Sequence, residues 1–187
     1  SSMASGEIYF RRATRIASES TDSNWQVVAQ AGLALGDYYI YKNNSNRARQ
    51  AYVETWQLLS QSEDSLRVRR QQLERIVPLK EEELPRYVSS DTRTSGDDRT
   101  DPLLQGSASV SYEVSTRGRA EDVELIEAKP PGFERMVNTV QREVRRRLVR
   151  PRLEDGEVVS TPDQVLVHTF FYRQSDLDAQ RAEQDAK

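Results

Sequence analysis

Fold class follows from one alternating stretch, ASVSYEVSTRGRAEDVEL, which occupies residues 108–125. Its first half places Ala108, Val110, Tyr112 and Val114 on one side of an extended chain and polar residues on the other. Strict alternation of this kind predicts a half-buried β-strand. Gly118 suits the tight turn of residues 116–119 because glycine adopts positive φ without steric cost. The stretch therefore predicts a β-hairpin, whose second strand carries Val123 and Leu125, with Ile126 on its opposite face.

The residues after this hairpin predict one helix and a closing strand. Pro130-Pro131-Gly132 ends the second strand, and Pro151 ends a helix over residues 133–149. Helical spacing puts these apolar residues on one stripe: Phe133, Met136, Val137, Val140, Val144 and Leu148. Residues 157–161 predict a short strand, and residues 165–172 predict the last one. The order over 106–173 is β-β-α-β, which indicates an α+β domain with one helix packed on an antiparallel sheet.

The front of the chain, residues 1–79, is predicted to be helical. Ile8, Arg11, Arg12, Arg15 and Ile16 follow an amphipathic helical pattern. Further on come Leu35-Gly36-Asp37-Tyr38-Tyr39 and then Ala48-Arg49-Gln50-Ala51-Tyr52, separated by an Asn-rich turn at residues 43–46. Small residues where two helices cross and bulky ones beside them are the pattern of a tetratricopeptide repeat. The stretch resembles one such repeat, and a plain helical hairpin is the alternative.

Two polar segments complete the chain. Residues 80–105 are rich in Ser, Thr, Asp, Arg and Glu, and such a composition buries too little apolar surface to offset the entropy of ordering. We expect this linker to be mobile or laid over the surface. Residues 174–187 are charged, with Leu177 as the one large apolar residue, and are predicted to be a frayed tail.

Composition excludes several classes of function. The 187 residues contain no cysteine and one histidine, His168, so thiol chemistry and Cys- or His-rich metal sites are excluded. The formal charge of −3 argues against a general nucleic-acid binder, which needs a cationic surface. We find no phosphate-binding loop and no nucleophile with a base. The sequence thus predicts a protein that is not an enzyme and holds no cofactor or metal, with His168 as an ordinary strand histidine.

The back half carries a family resemblance. The strand ASVSYEV (108–114), Gly118-Arg119, Glu127-Ala128-Lys129-Pro130, Phe133-Glu134, Val144-Arg145-Arg146 and Pro151 fall in the register of the TonB C-terminal domain, which residues 106–173 resemble. That family is periplasmic and forms the end of an energy transducer of the inner membrane that reaches outer-membrane transporters. The resemblance implies a periplasmic envelope protein whose partner is a protein or peptide, such as an outer-membrane transporter.

The resemblance also implies where a partner binds. In the family the last strand pairs with a short segment of the transporter, and an unpaired sheet edge offers backbone donors and acceptors to a visiting strand. Carried over by position, the candidate partner-binding residues are Val165, Leu166, Val167, His168, Thr169, Phe170 and Phe171. The alternative is an edge that the linker or a second copy of the chain covers.

A second candidate surface is basic. Arg142, Arg145, Arg146 and Arg150 cluster near the end of the predicted helix and suggest a contact face for a protein or for anionic lipid head groups. The alternative is a solvated face, since arginine near a helix C-terminus is favoured by the helix dipole. Residues 106–173 hold eleven basic and eleven acidic side chains, so the charges of this region cancel.

Two functions remain open from the sequence. The first is an adaptor or energy transducer that binds its partner by strand addition, with any membrane association through a segment outside this sequence. The second is a scaffold of an envelope complex, in which the helical repeat is the protein-interaction surface and the back domain forms a homo-oligomer.

Overall fold

The computed structural model describes residues 8, 11, 12, 15, 16, 25–80, 83–88 and 101–185. The first five of these positions are helical, as predicted. The helices that follow are α1 (Trp25–Tyr41), α2 (Ser45–Leu59), α3 (Glu63–Gln72), α4 (Glu134–Arg145) and α5 (Gln174–Asp185). The strands are β1 (Val77–Pro78), β2 (Leu103–Val114), β3 (Ala120–Lys129), β4 (Val149–Arg150), β5 (Arg152–Glu154), β6 (Glu157–Val159) and β7 (Thr161–Arg173). The paired strands whose register is described run antiparallel, and the mixed α+β class is confirmed.

The chain divides into two compact units that interleave along the sequence. Unit 1 comprises Ser1–Glu81, Val114–Ala120 and Arg147–Pro162, and unit 2 comprises Glu82–Glu113, Glu121–Arg146 and Asp163–Lys187. The division predicted from the sequence was strictly sequential. Backbone pairing explains why residues 147–162 belong with the front helices: β4 pairs with β1, and the amide of Leu153 donates to the carbonyl oxygen of Leu73 at 2.6 Å.

The helical hairpin of unit 1 forms through close packing of small residues. Ala29, Gly32 and Gly36 are buried on α1, and Ala48 and Ala51 are buried on α2. A Cβ atom at Gly36 would lie 2.2 Å from the Tyr52 ring, so only glycine allows this approach. The predicted asparagine turn is confirmed, because Asn43 has φ 55° and the Asn44 side chain accepts from the amide of Arg47.

Segments from the back half complete the core of unit 1. Leu153 and Val158, from the β5–β6 hairpin, are buried in one cluster with Leu33, Tyr52 and Leu59. Asp155 and Gly156 turn that hairpin with φ of 49° and 82°, the left-handed conformation that a two-residue hairpin turn requires. Gly118, in the predicted turn, also has positive φ, and its carbonyl oxygen accepts from the amide of Val149 at 3.0 Å.

Unit 2 is built around a three-stranded sheet in the order β3-β2-β7. The alternation predicted for residues 108–114 is confirmed, since the four residues on its apolar side are all buried within β2. On α4 the buried residues are Met136, Val140 and Val144, preceded by Phe133 at the N-cap. The start of α4 contacts β7, where Phe133 meets the Phe170 ring edge-to-face at 5.5 Å, and its end contacts β3, where Arg145 donates to the carbonyl of Val123.

Two boundaries predicted from the sequence are wrong. The helix predicted to reach residue 149 ends at Arg145, because Val149 and Arg150 pair instead with Pro78 and Val77 as a strand. The linker predicted to reach residue 105 ends earlier, since β2 begins at Leu103. Residues 81, 82 and 89–100 of that linker lie outside the described residues.

The predicted frayed tail is also wrong. Residues 174–185 form α5, and its one large apolar side chain, Leu177, is 3% exposed. The start of α5 is held by Asp101, whose side chain accepts from the hydroxyl of Ser175, and by Asp176, which accepts from the amide of Arg173. Further along, Arg181 donates to the carbonyl of Pro131. A single buried leucine and capped N–H groups suffice to dock this helix.

Candidate functional site: the outer edge of strand β7

Strand β7 lies at the end of the sheet, so one of its two sides does not face another named strand. We call the side away from β2 the outer edge. The alternation predicted for this strand is confirmed: His168, Phe170 and Tyr172 are buried, whereas Val165, Val167, Thr169 and Phe171 are exposed. The buried aromatics hold the strand in place, because the Phe133 ring packs against both Phe170 and Tyr172, with centroids 5.5 and 5.0 Å apart.

Hydrogen bonds at Phe171 show which residues of β7 direct their backbone outward. The amide of Phe171 donates to the carbonyl of Arg86 at 2.7 Å, and its carbonyl accepts from the amide of Val88 at 2.9 Å. Since successive residues of a strand direct their N–H and C=O groups to opposite sides, Val165, Val167 and Thr169 also point outward. Within the described part of the chain, no backbone hydrogen bond reaches the outward groups of these three residues.

The side chains beside this edge are apolar and exposed. Val165 is 56% exposed and Val167 is 60% exposed, although valine is usually buried in a sheet. Phe171 continues the row, and its ring lies 5.7 Å from that of Tyr87. An outward-facing row of this kind gives a visiting strand both backbone groups to bond and apolar surface to cover.

The end of this edge carries a short internal segment, residues 85–88, which we call the strap. Tyr87 pairs with Phe171 as an isolated parallel bridge, and the Tyr87 side chain is 61% exposed. The strap belongs to the predicted linker, so the linker does lie against β7 at this point. Its two backbone hydrogen bonds pair the outward N–H and C=O groups of Phe171.

His168 contacts the strap through its imidazole ring. Its Nε2 atom lies 2.9 Å from the carbonyl oxygen of Pro85, and a carbonyl only accepts, so Nε2 must carry the proton. The ring is 9% exposed and stacks on Phe170 with centroids 6.2 Å apart. Among the described residues, no group of three or more acidic, histidine or cysteine side chains is placed to hold a metal ion.

The seven predicted partner-binding residues thus form two sets, according to the side of β7 that their backbone groups face. Val165, Val167, Thr169 and Phe171 combine outward backbone groups with exposed side chains. Leu166, His168 and Phe170 point their backbone groups the other way, and His168 and Phe170 are buried. Of the seven candidates, the four odd-numbered residues can meet a partner strand directly, and the even-numbered ones support the sheet.

The predicted basic face must be corrected at Arg150. Arg142, Arg145 and Arg146 are exposed at the end of α4, and Arg142 and Arg146 both lie within 4 Å of Glu143. Arg150 is not on this helix. It belongs to unit 1, is 6% exposed, and donates two hydrogen bonds to Asp37 because β4 pairs with β1 there. A buried arginine bound on two sides cannot contribute to an exposed binding face.

The buried arginine belongs to a polar network that the sequence did not indicate. Besides Asp37, Arg150 reaches the side-chain and main-chain oxygens of Gln72 at 2.8 and 3.2 Å. Tyr52 donates its hydroxyl to Asp37 at 2.8 Å. Burial would lower the pKa of Arg150, but the hydrogen bonds and charge of Asp37 outweigh burial and raise it. Among the described residues, no fully buried side-chain nitrogen or oxygen of this cluster lacks a hydrogen-bond partner, which indicates a structural role in unit 1.

In the described residues, no helix has the length and apolar character to cross a bilayer. No protein-family model matches the chain, and no curated protein matches it either.

Proposed function

We propose that this protein is a non-enzymatic component of the bacterial envelope that binds its partner by β-strand addition in the periplasm. An extended segment of the partner pairs with the outer edge of β7. The observation that carries this proposal is the run of outward backbone groups at Val165, Val167 and Thr169, beside exposed valine side chains. The resemblance of residues 106–173 to the TonB C-terminal domain supports an outer-membrane transporter as the source of that segment.

Strand addition fits the chemistry of this edge. Each outward residue offers one N–H donor and one C=O acceptor, so main-chain hydrogen bonds supply affinity without reading the partner's sequence. The side chains supply selectivity: a partner whose alternate residues are apolar would cover Val165 and Val167, which lie two residues apart on one face. Neither step requires a reactive group, and the described edge holds none.

The test is binding of synthetic peptides that represent extended segments of outer-membrane transporters, measured by fluorescence anisotropy. Val167→Pro removes an outward N–H donor and should weaken binding at least fivefold, the loss expected for one intermolecular hydrogen bond of ~1 kcal/mol. Val167→Ala keeps the donor and serves as the matched control. If no peptide binds saturably, or if both variants bind like the parent, strand addition at this edge is wrong.

One observation favours the scaffold alternative. Unit 1 contains a groove of about 370 Å³, lined by Arg11, Arg15, Leu35, Tyr39, Arg47, Gln50, Ala51 and Glu54. Arg11 donates to the Tyr39 hydroxyl at 3.3 Å, and the Arg47 guanidinium lies 5.7 Å from the centre of the Tyr39 ring. A basic groove along a helical hairpin suits an acidic segment of another protein.

The two functions predict opposite results for two variants of the full chain. A scaffold that uses the groove should lose its envelope partners with Arg47→Glu and keep them with Val167→Pro. A strand-addition protein should show the reverse pattern. The measurement is the amount of each envelope protein that co-purifies with each variant at matched expression, and it distinguishes the scaffold from the strand-addition function.

A further inference from the structure

The strap forms hydrogen bonds with backbone groups that a partner strand would also need. The outward N–H and C=O of Phe171 are the last pair of the row formed by Val165, Val167 and Thr169, and the strap bonds both of them. A backbone N–H that donates to Arg86 is not available to a second acceptor at good geometry. A partner that pairs with the whole edge must therefore displace the strap or stop before Phe171.

The strap makes few contacts with the other described residues. It is held by the two backbone hydrogen bonds at Phe171, by the ring contact between Tyr87 and Phe171, and by the acceptor that Pro85 offers to His168. Tyr87 remains 61% exposed, so the contact buries little of this large side chain. Segments with few buried contacts open at low free-energy cost and are the ones that move when a ligand binds.

We infer that residues 85–88 are a built-in competitor for the outer edge of β7, and that a partner strand displaces them when it binds. This inference rests on the proposed function. It also defines the chemistry of the partner: an extended segment that places an aromatic side chain against the exposed face of Phe171, as Tyr87 does, and apolar side chains beside Val167 and Val165. While the strap competes, only the fraction of molecules whose edge is open can bind the partner. Removing the strap therefore raises the apparent affinity for the partner by the reciprocal of that fraction.

Val88→Pro tests the inference in the full chain. The substitution removes the N–H that donates to Phe171. Proline favours an extended conformation in the residue before it, and that residue, Tyr87, already pairs with Phe171 as a β-bridge, so the fold should survive. Val88→Ala keeps the N–H and is the matched control. We expect Val88→Pro to bind the transporter peptides about three- to tenfold more tightly, the range expected when roughly one backbone hydrogen bond no longer competes, and Val88→Ala to bind like the parent.

A second measurement does not depend on any peptide. The amide of Phe171 donates to Arg86, so its hydrogen exchange in the parent should be slow and should quicken in Val88→Pro by a similar factor. Equal peptide affinity in all three proteins would overturn the competitor role while leaving strand addition intact. Peptide binding to none of them would overturn the proposed function and the inference together. Dimerisation of Val88→Pro alone would support the competitor role, with a second copy as the occupant.

Discussion

Arg150 and Asp37 form a two-pronged ion pair across 113 positions of sequence, with Nε to Oδ1 at 2.9 Å and Nη2 to Oδ2 at 2.6 Å. The pair joins strand β4 to helix α1 within unit 1. Arginine is suited to this place because its planar fork matches both oxygens of a carboxylate and keeps its charge at any physiological pH. The side chains of Arg150 and Asp37 are only 8% and 22% exposed. If one partner is removed, water can therefore replace few of the hydrogen bonds that the other loses.

Removing the carboxylate should therefore be costly. We expect Asp37→Ala to lower the free energy of unfolding by about 3 kcal/mol, because it leaves a buried guanidinium whose remaining partners, Gln72 and the Tyr52 ring, carry no negative charge. Urea denaturation measures the change. Glu154→Ala is the control, since the Arg152–Glu154 pair lies in the same unit with Glu154 59% exposed, and its loss should cost under ~1 kcal/mol. Equal losses in the two variants would show that the Asp37 pair is worth no more than a surface pair.

The Tyr52 hydroxyl should make stability depend on pH in the alkaline range. Burial, and then the charge and hydrogen bond of Asp37, raise the pKa of Tyr52 above its ordinary value of 10.0. A raised pKa in the folded state stabilises the protein fully below pH 10, and this contribution is lost as the pH rises further, because the unfolded chain releases the proton first.

Tyr52→Phe isolates this contribution. At pH 8 the variant should be about 1 kcal/mol less stable than the parent, for the lost hydrogen bond to Asp37. Above pH 10 the difference should shrink by up to ~1.4 kcal/mol for each pH unit. Unfolding free energies at pH 8, 9, 10 and 11 measure it, with Tyr41→Phe, an exposed tyrosine, as the control. A constant difference over that range would contradict the assignment.

The close helix crossing in unit 1 can be tested by a double-mutant cycle at Gly32 and Thr55. A Cβ atom at Gly32 would lie 2.2 Å from Thr55 Oγ1 but 3.5 Å from Thr55 Cβ. Gly32→Ala alone should destabilise the protein by about 1–3 kcal/mol, despite alanine's better helix propensity. With Thr55→Ala already present, the same change should be neutral or stabilising by up to ~1 kcal/mol. Additive effects in the cycle would mean that the two side chains do not meet.

Proline substitutions test the register of β7 through stability alone. At Val167 the N–H points to the outer edge, where the loss of a donor leaves the β2–β7 ladder intact, so Val167→Pro should cost under ~1 kcal/mol. At Leu166 the N–H points toward β2, and Leu166→Pro should cost at least ~2 kcal/mol. Thermal unfolding followed by circular dichroism compares the two. Reversal of this order would place the outward groups on the even-numbered residues and would remove the basis for strand addition at Val165, Val167 and Thr169.

Local patterns determined the parts of this protein whose signals lie within a few residues of one another. Alternation in β2 and β7, the glycine in the 116–119 turn, the asparagine cap of α2 and the apolar stripe of α4 each reflect a period or a preferred φ that neighbouring residues create together. The odd-numbered face of β7, which carries the candidate site, was predicted in the same way.

Tertiary structure alone decided which distant groups meet. Arg150 looked like a surface residue in an arginine cluster, and it became a buried one because β4 pairs with β1 and brings Asp37 within reach. Residues 85–88 looked like part of a polar linker, and their place on Phe171 depends on backbone groups, which every sequence has. Leu177 looked too isolated to order a tail, yet this buried leucine and a few hydrogen bonds near the helix start dock α5. Periodicity records what a residue's neighbours in sequence require, whereas the partner of a buried charge or of a backbone N–H is chosen by the whole folded chain.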